Sequence, residues 1–328
     1  MRRLKRVLRG LLKAILPVAV LPFAPIFALV ARTGIGVDLC RRFGFHPLRL
    51  HYYQPVPRYE EVPPDHFDRP LDHPGVEIDL ERARTLLERL APFGAECHWP
   101  DTPGATGAYY GSNENFGFSS AALLHAMIRS HRTRRVIEVG SGYSSLIALA
   151  ALQANGGDWR FSSIEPYPSR WLRDALAREG GRAALLERQA QRVDPQLFDE
   201  LAENDLLFID SSHVSQLESD VNFLFLRVLP RLRPGVLVHV HDIYLPYEYP
   251  AAHFFGDNKM FWNEQYLLQA LLAGNPGFEV LLPAFLVQST LGEEFGRAFP
   301  AYNPQRHRRS SSFWMRSRPA APRSMGAS

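Results

Sequence analysis

The residues best suited to chemistry lie around two glycines, in Glu138-Val-Gly140-Ser-Gly142-Tyr-Ser-Ser145. Glycine lets a backbone turn sharply and come close to a ligand, and a helix opening just after such a turn points its free N–H groups at the same place. Glu165 follows the next apolar run, where an acid can accept hydrogen bonds from both hydroxyls of a ribose. The unit therefore reads as a nucleoside site, in which Glu138, Gly140, Ser141, Gly142, Tyr143, Ser144, Glu165 and Pro166 are candidate ligand contacts. A dinucleotide turn would carry a third glycine where Ser145 stands, and Glu138 puts a carboxylate just before the place a pyrophosphate would occupy. A sulfonium ligand with a free amino group suits that charge better than a nicotinamide dinucleotide does.

A second set of polar residues follows two later apolar runs, Asp210-Ser-Ser-His213 and His239-Val-His241-Asp242. Histidine titrates near neutral pH, so His213 and His241, each beside an acid, are candidate bases, with Asp242 completing the catalytic set. Asp210 and Ser211 are counted with the cofactor contacts. Asp210 and Asp242 could also share a divalent metal. His239 alternates with Val238 and Val240 inside a strand and reads as a core residue. Tyr244, Tyr247, Trp262 and Asn263, with Tyr249 and Glu264, are expected to wall an acceptor pocket; Tyr109, Tyr110, Asn113, Asn115 and Phe116, within 104–117, are expected to form either a mobile lid over the cofactor or a structural tether.

Alternating patterns must position these groups. Strands are expected over 135–139, 159–165, 183–188, 205–210 and 235–242. Helices are expected over 122–131, capped by Ser119 or Ser120, and over 144–153, 169–178, 195–203 and 215–232. The strands are short continuous apolar runs, such as Leu206-Leu-Phe-Ile209, which marks a parallel sheet covered on both faces. Ligands in such doubly wound α/β folds sit at the carboxyl ends of the strands, where the candidate residues cluster.

From Tyr109 to Arg316 the chain resembles the class I S-adenosylmethionine-dependent methyltransferases, in particular a bacterial small-molecule methyltransferase-like group. Glu138-Val-Gly-Ser-Gly142 is similar to their first motif and Ile164-Glu-Pro-Tyr167 to their second. Leu207-Phe-Ile-Asp-Ser-Ser-His213, Gly235 to Ile243 and Phe261-Trp-Asn-Glu-Gln-Tyr-Leu-Leu-Gln269 resemble later segments of that group. The resemblance implies a Rossmann-like, mostly parallel seven-stranded sheet with helices on both faces, whose last two strands form a hairpin over 278–282 and 311–315. It implies S-adenosylmethionine as cofactor; the cofactor turn together with the basic, apolar N-terminus points to O-methylation of a small-molecule or lipid-linked acceptor near a membrane. Where catechol-type relatives place an acid-amide pair, Ile243 follows Asp242, a departure that weighs against a metal. An NAD(P)-dependent oxidoreductase and a non-catalytic adenosyl-binding scaffold are the alternative readings.

The ends differ from the middle. Residues 1–13 carry six Lys or Arg and residues 295–328 seven Arg, with no acid in either stretch, while the segment between holds 24 basic against 34 acidic residues. A nucleic-acid enzyme carries its positive charge on a face of its body, so nucleic acid is not an expected partner. Ala14–Ala31 is uncharged, which with the basic start points to membrane contact through residues 1–31, although Pro17, Pro22 and Pro25 argue against a straight spanning helix. Basic residues on both sides place the flanks on the cytoplasmic face, and the two isolated cysteines, Cys40 and Cys97, fit a reducing compartment. The organisation expected is an N-terminal helical anchor over 1–36, a Pro-rich linker and accessory helix over 37–100, a methyltransferase domain over 101–318 and a disordered tail over 319–328.

Overall fold

The computed structural model describes residues 2–63, 65–256 and 259–319; residues 320–328 of the expected tail lie outside the described residues. The chain divides into two compact units at Pro64. The first holds α1 (Arg2–Val20), a 3₁₀ turn over Leu21–Phe23, α2 (Ala24–Thr33) and α3 (Val37–Arg42). The break between α1 and α2 falls where Pro22 and Pro25 remove backbone donors, and Gly34, with φ +74°, closes α2 in the left-handed region.

The second unit opens with α4 (Leu80–Gly94) and α5 (Phe118–Ser130), then alternates: β1 (Arg135–Val139), α6 (Tyr143–Asn155), β2 (Arg160–Ile164), α7 (Arg170–Arg178), β3 (Ala183–Leu186) and β4 (Leu206–Ile209). It continues with α8 (Asp220–Phe223), β5 (Leu237–Val240), α9 (Ala251–Phe255), α10 (Glu264–Leu272), β6 (Phe278–Pro283), α11 (Ala284–Thr290), α12 (Gly292–Ala298) and β7 (Phe313–Ser317). The strands form one sheet in the order β3-β2-β1-β4-β5-β7-β6, parallel except that β7 runs against both its neighbours. The expected hairpin is present, shifted two residues along at β7.

Period-two alternation divides the strands between two cores. Val136, Phe161, Leu206, Phe208, Leu237 and Trp314 pack on the α4–α5–α6 face, while Ile137, Val139, Leu207, Ile209, Val238 and Val240 pack on the opposite face with Val221, Phe225 and Leu268. Helices cover both faces, so the central strand β4, Leu206–Ile209, is apolar throughout, as its sequence reads.

Three helical expectations change. Ser119 and Ser120 do not cap α5, whose N-cap is Gly117; they lie buried within it and bond to the Arg308 carbonyl and the Ser310 hydroxyl. Residues 195–200 make a 3₁₀ turn capped by Asp194, too short for the helix expected there. The expected helix over 215–232 begins only at Asp220, because Ser219 accepts a bond from the Asn222 N–H and sets the start. A π turn over Leu224–Val228 and a 3₁₀ turn over Leu229–Arg231 finish it, next to Pro230, which has no N–H to donate.

Phe161 is fully enclosed in the first core near the amino end of β2, away from the carboxyl ends where the candidate site lies. Phe161→Ala should lower unfolding free energy by about 3–5 kcal/mol, read as a shift in the denaturant midpoint at unchanged slope. A loss below about 1 kcal/mol would contradict the packing described.

Candidate functional site

The order of strands places a switch point between β1 and β4, whose connections leave in opposite directions, and a crevice opens there beyond their carboxyl ends. The turn after β1 is built for close approach. The Asp210 N–H bonds to the Val139 carbonyl at 2.8 Å, and Gly140, at φ +76°, donates to the Ile164 carbonyl at 3.0 Å. Any β-carbon at Gly140 would overlap the carbonyl of Asp210, so only glycine fits in both conformation and space.

Glu138 points from β1 beneath this turn and is wholly buried. One oxygen accepts the Ser145 hydroxyl, and Ser145 also accepts the Gly142 N–H at 3.2 Å. The other oxygen, Oε1, has no hydrogen-bond partner among the described residues. Burial pushes the carboxyl up to about 7, against the opposing pull of the Ser145, Ser144 and Ser141 hydroxyls. A buried acid with a bare oxygen fits a cationic ligand group better than an anionic one. Ser145, in the third-glycine place, spends its hydroxyl on Glu138, so the turn differs from a pyrophosphate cradle.

Glu165, at the end of β2, accepts the Ser141 N–H at 3.2 Å and the Tyr167 N–H at 2.7 Å, one on each oxygen. It thereby joins the turn to the next strand while its carboxylate faces the crevice. A cleft of about 430 Å³ lies here, lined by Gly140, Glu165, Pro166, Tyr167, Asp210 and Ser211 and closed below by Gln189–Gln191 and Gln216–Asp220. Glu138, Ser141, Gly142, Tyr143 and Ser144 are not on its walls: Glu138 lies enclosed under the turn, Ser141 bonds to Ser163, and Tyr143 stacks on Trp171 at 5.5 Å between Tyr109 and Tyr110.

Asp210 belongs also to a second cluster at the ends of β4 and β5. His213 and Asp242 both take left-handed backbone angles, φ +61° and +56°, which turn their side chains back toward each other. His213 Nδ1 lies 2.8 Å from Glu264, and its Nε2 lies 3.4 Å from Asp210 and 3.7 Å from Asp242. Burial disfavours charge on His213, yet the hydrogen bonds and charges of Asp210 and Glu264 outweigh it and hold the imidazole protonated, well above its usual value. Asp210 is correspondingly held below the usual carboxylate range: burial raises it, but the charges of His241 and His213 beside it outweigh that and lower it.

His241 Nδ1 sits 3.6 Å from one oxygen each of Asp210 and Asp242, too far for hydrogen bonds to either, and has no other partner. Burial lowers its basicity, and the charges of Asp242 and Asp210 more than restore it, leaving it above the ordinary value. Ser311 donates to Asp242 at 2.7 Å, and Phe116 covers the His241 ring at 5.1 Å.

Of the acceptor-wall residues, Trp262 leans against His213 with ring centroids 4.2 Å apart, and Tyr244 and Tyr247 meet Phe285 at 5.2 and 5.3 Å. Asn263 is a clamp, accepting the Ser215 N–H with its side chain and donating its own N–H to the His213 carbonyl. Glu264 is likewise more than a wall: fully buried, it accepts from Ser211 and pairs with His213. The expected loop over 109–116 is tied down, since the Asn113 amide bonds to the Tyr110 and Phe116 backbone and the Tyr109 hydroxyl to the Phe116 carbonyl. His239 is a core residue as expected, stacked on Trp314 at 4.4 Å. Ser311 and His253, which packs on Trp262 at 4.7 Å, escaped sequence reasoning because they reach the site from outside the motif-bearing strand ends.

Because the folded protein favours the protonated Glu138, this group stabilises the unliganded chain below about 4.5 and that contribution fades as pH rises to about 7. A cationic ligand reverses the preference, so its affinity should rise with pH up to about 7 and then level off. Glu138→Gln should flatten that profile in calorimetric titrations, and Gly140→Ala should abolish binding while β1 and β4 still pair. An unchanged pH profile in Glu138→Gln would show that the acid does not face the ligand.

A family model described as a methyltransferase domain matches residues 137–243, from β1 to the segment just after β5. An uncharacterized protein of Archaeoglobus fulgidus is 33% identical over 162 residues, which is 47% of this chain and 73% of that protein. Among solved structures, the S-adenosylhomocysteine-bound methyltransferase PaMTH1 of Podospora anserina is 16% identical over 75% of this chain and 90% of its own, with a TM-score of 0.37. A putative caffeoyl-CoA O-methyltransferase from Staphylococcus aureus is 15% identical over 73% of this chain and 100% of its own, with a TM-score of 0.40. Residues 137–243 therefore carry a methyltransferase domain, set in a seven-stranded sheet with a glycine turn over a buried acid.

Proposed function

We propose that the enzyme methylates a hydroxyl oxygen of a small-molecule or lipid-linked acceptor seated at the β4–β5 end of the cleft. The observation that carries this reading is the buried, unpartnered His241 Nδ1, one side chain away from the cofactor cleft through Asp210. S-adenosylmethionine, when bound, supplies an electrophilic methyl group on a sulfonium. The Glu138 oxygen without a partner suits its amino group, and Glu165 suits its ribose hydroxyls.

In-line displacement requires an acceptor held close and water kept out, and a hydroxyl becomes a good nucleophile only as its proton leaves. His213 already holds a proton between Glu264 and Asp210, so it positions the cluster. His241 is then the group that takes the acceptor's proton, with Asp242 beside it and Ser311 fixing Asp242. Tyr244, Tyr247 and Trp262 offer an aromatic wall, which suits an apolar or ring-bearing acceptor. The nicotinamide and scaffold readings gain no support from the family match.

A specific observation favours a second reading of the same cluster: ligand atoms of Asp210, His241 and Asp242 lie within 4.8 Å of one another, close enough to share a divalent cation that would bind the acceptor oxygen. Labelled S-adenosylmethionine incubated with enzyme and cell extract identifies the product. His241→Ala should lower kcat by about 10²–10⁴-fold with the cofactor Kd unchanged. Activity that survives EDTA supports proton transfer alone, activity lost to EDTA and restored by Mg²⁺ supports the cation, and an N- or C-methylated product overturns the hydroxyl reading.

We further infer that residues 1–31 contact a membrane at its cytoplasmic face, as one part of a scheme with an anchor over 1–36, a connector and accessory helix over 37–100 and the methyltransferase domain over 101–318. Gly10–Thr33 is long and apolar enough to cross a bilayer by length and composition, and none of its apolar window is buried. The full-length enzyme should stay with membranes through carbonate and leave in detergent; recovery in the soluble fraction would contradict the anchor.

A further inference from the structure

Apolar exposure in the first unit does not stop at the end of α2. Ile35 is 77% exposed, Phe43 76%, Tyr52 76% and Tyr53 78%, with Leu39 and Leu50 also open. Isolated exposed hydrophobics need no explanation, but these occupy the turn before α3, α3 itself and the segment after it, directly behind the apolar helices. Phe45 packs edge-on against Phe27 of α2 at 5.8 Å, and His51, Tyr52 and Tyr53 form a stacked group of their own with centroids 4.2–5.0 Å apart. The segment is therefore folded onto α2 at one end and gathered into an aromatic knot at the other.

The charge around it has one sign. Residues 1–58 contain eleven Lys or Arg and a single acid, Asp38. Arg41, Arg42 and Arg49 alternate with the exposed apolar groups, the arrangement that lets long cationic side chains reach outward to phosphates while rings and aliphatic chains settle inward. Tyrosines, amphipathic in the same way, collect at the headgroup level of bilayers. A soluble protein partner would call for a packed apolar face with matched polar groups, whereas a fluid headgroup layer accepts this mixture of rings, aliphatic chains and arginines without complementary shape.

We propose that residues 35–53 form a second membrane element, an interfacial platform seated in the headgroup layer of an anionic bilayer, continuous with the apolar helices before it. The proposal rests on the membrane contact inferred above and adds to it the surface that sets the depth at which the chain emerges and favours anionic lipid.

The test uses the full-length chain with Cys40→Ala and Cys97→Ala, its fold checked by cofactor binding. Single cysteines at Ile26→Cys, Phe43→Cys, Tyr52→Cys and the exposed control Arg170→Cys carry an environment-sensitive fluorophore. Vesicles of phosphatidylcholine, with or without phosphatidylglycerol, carry quenchers on headgroups or deep in the acyl chains. Labels at 43 and 52 should shift to the blue and lose emission to headgroup quenchers, more strongly with phosphatidylglycerol, while the label at 26 responds to the deep quencher and that at 170 to neither. Insertion at 26 with labels 43 and 52 unshifted overturns the platform and leaves the anchor standing. No response at 26 together with shifts at 43 and 52 overturns the anchor and keeps the platform, and no response at any position overturns both. A response at 43 and 52 that is equal in both lipids removes the preference for anionic headgroups.

Discussion

The site depends on one close approach, that of Gly140 to the main chain of Asp210. There the end of β1 leans on the end of β4 with no room for a β-carbon, and the two strands are locked by the Asp210 N–H to Val139 carbonyl bond. Everything that acts is placed by that contact. On one side it leaves Glu138 enclosed beneath the turn and Glu165 across the crevice; on the other it sends the Asp210 side chain into the histidine cluster. A longer residue at 140 would push the turn after β1 away from Asp210, leaving the strands paired but displacing the half that holds the cofactor from the half that holds the acceptor.

The electrostatics of the two halves differ in kind. Glu138 is a solitary buried acid whose cost is offset by serine hydroxyls and, we infer, by the ligand's own positive charge. The β4–β5 cluster is self-compensating: Asp210, Asp242 and Glu264 surround His213 and His241, and most of their hydrogen-bonding capacity is met within the protein. His241 Nδ1 is the exception, which is why the chemistry is assigned to it and the positioning to His213.

Much of this was legible in the sequence, for physical reasons. Strands buried on both sides must be apolar throughout, so Leu206-Leu-Phe-Ile209 announced itself, and the glycine turn with its flanking acids named the ligand class. Helix limits were less legible where a cap overrode periodicity, as Ser219 does at α8, or where buried serines in α5 bonded to a distant segment. The roles of Asn263, Glu264 and Ser311 were hidden because each reaches the cluster from outside the motif-bearing strand ends, with nothing local to signal the pairing. The tying-down of residues 109–116 was equally hidden, since a loop rich in Gly and Asn reads the same whether Asn113 bonds to water or to its own backbone.

The central claim is that one crevice, joined through Asp210, serves both cofactor and acceptor. A crystal structure with S-adenosylhomocysteine tests it most directly. The account expects the ribose on Glu165, the amino group toward Glu138 and the sulfur directed past Asp210 toward His241. A ligand bound with its sulfur turned away from the β4–β5 cluster would contradict it.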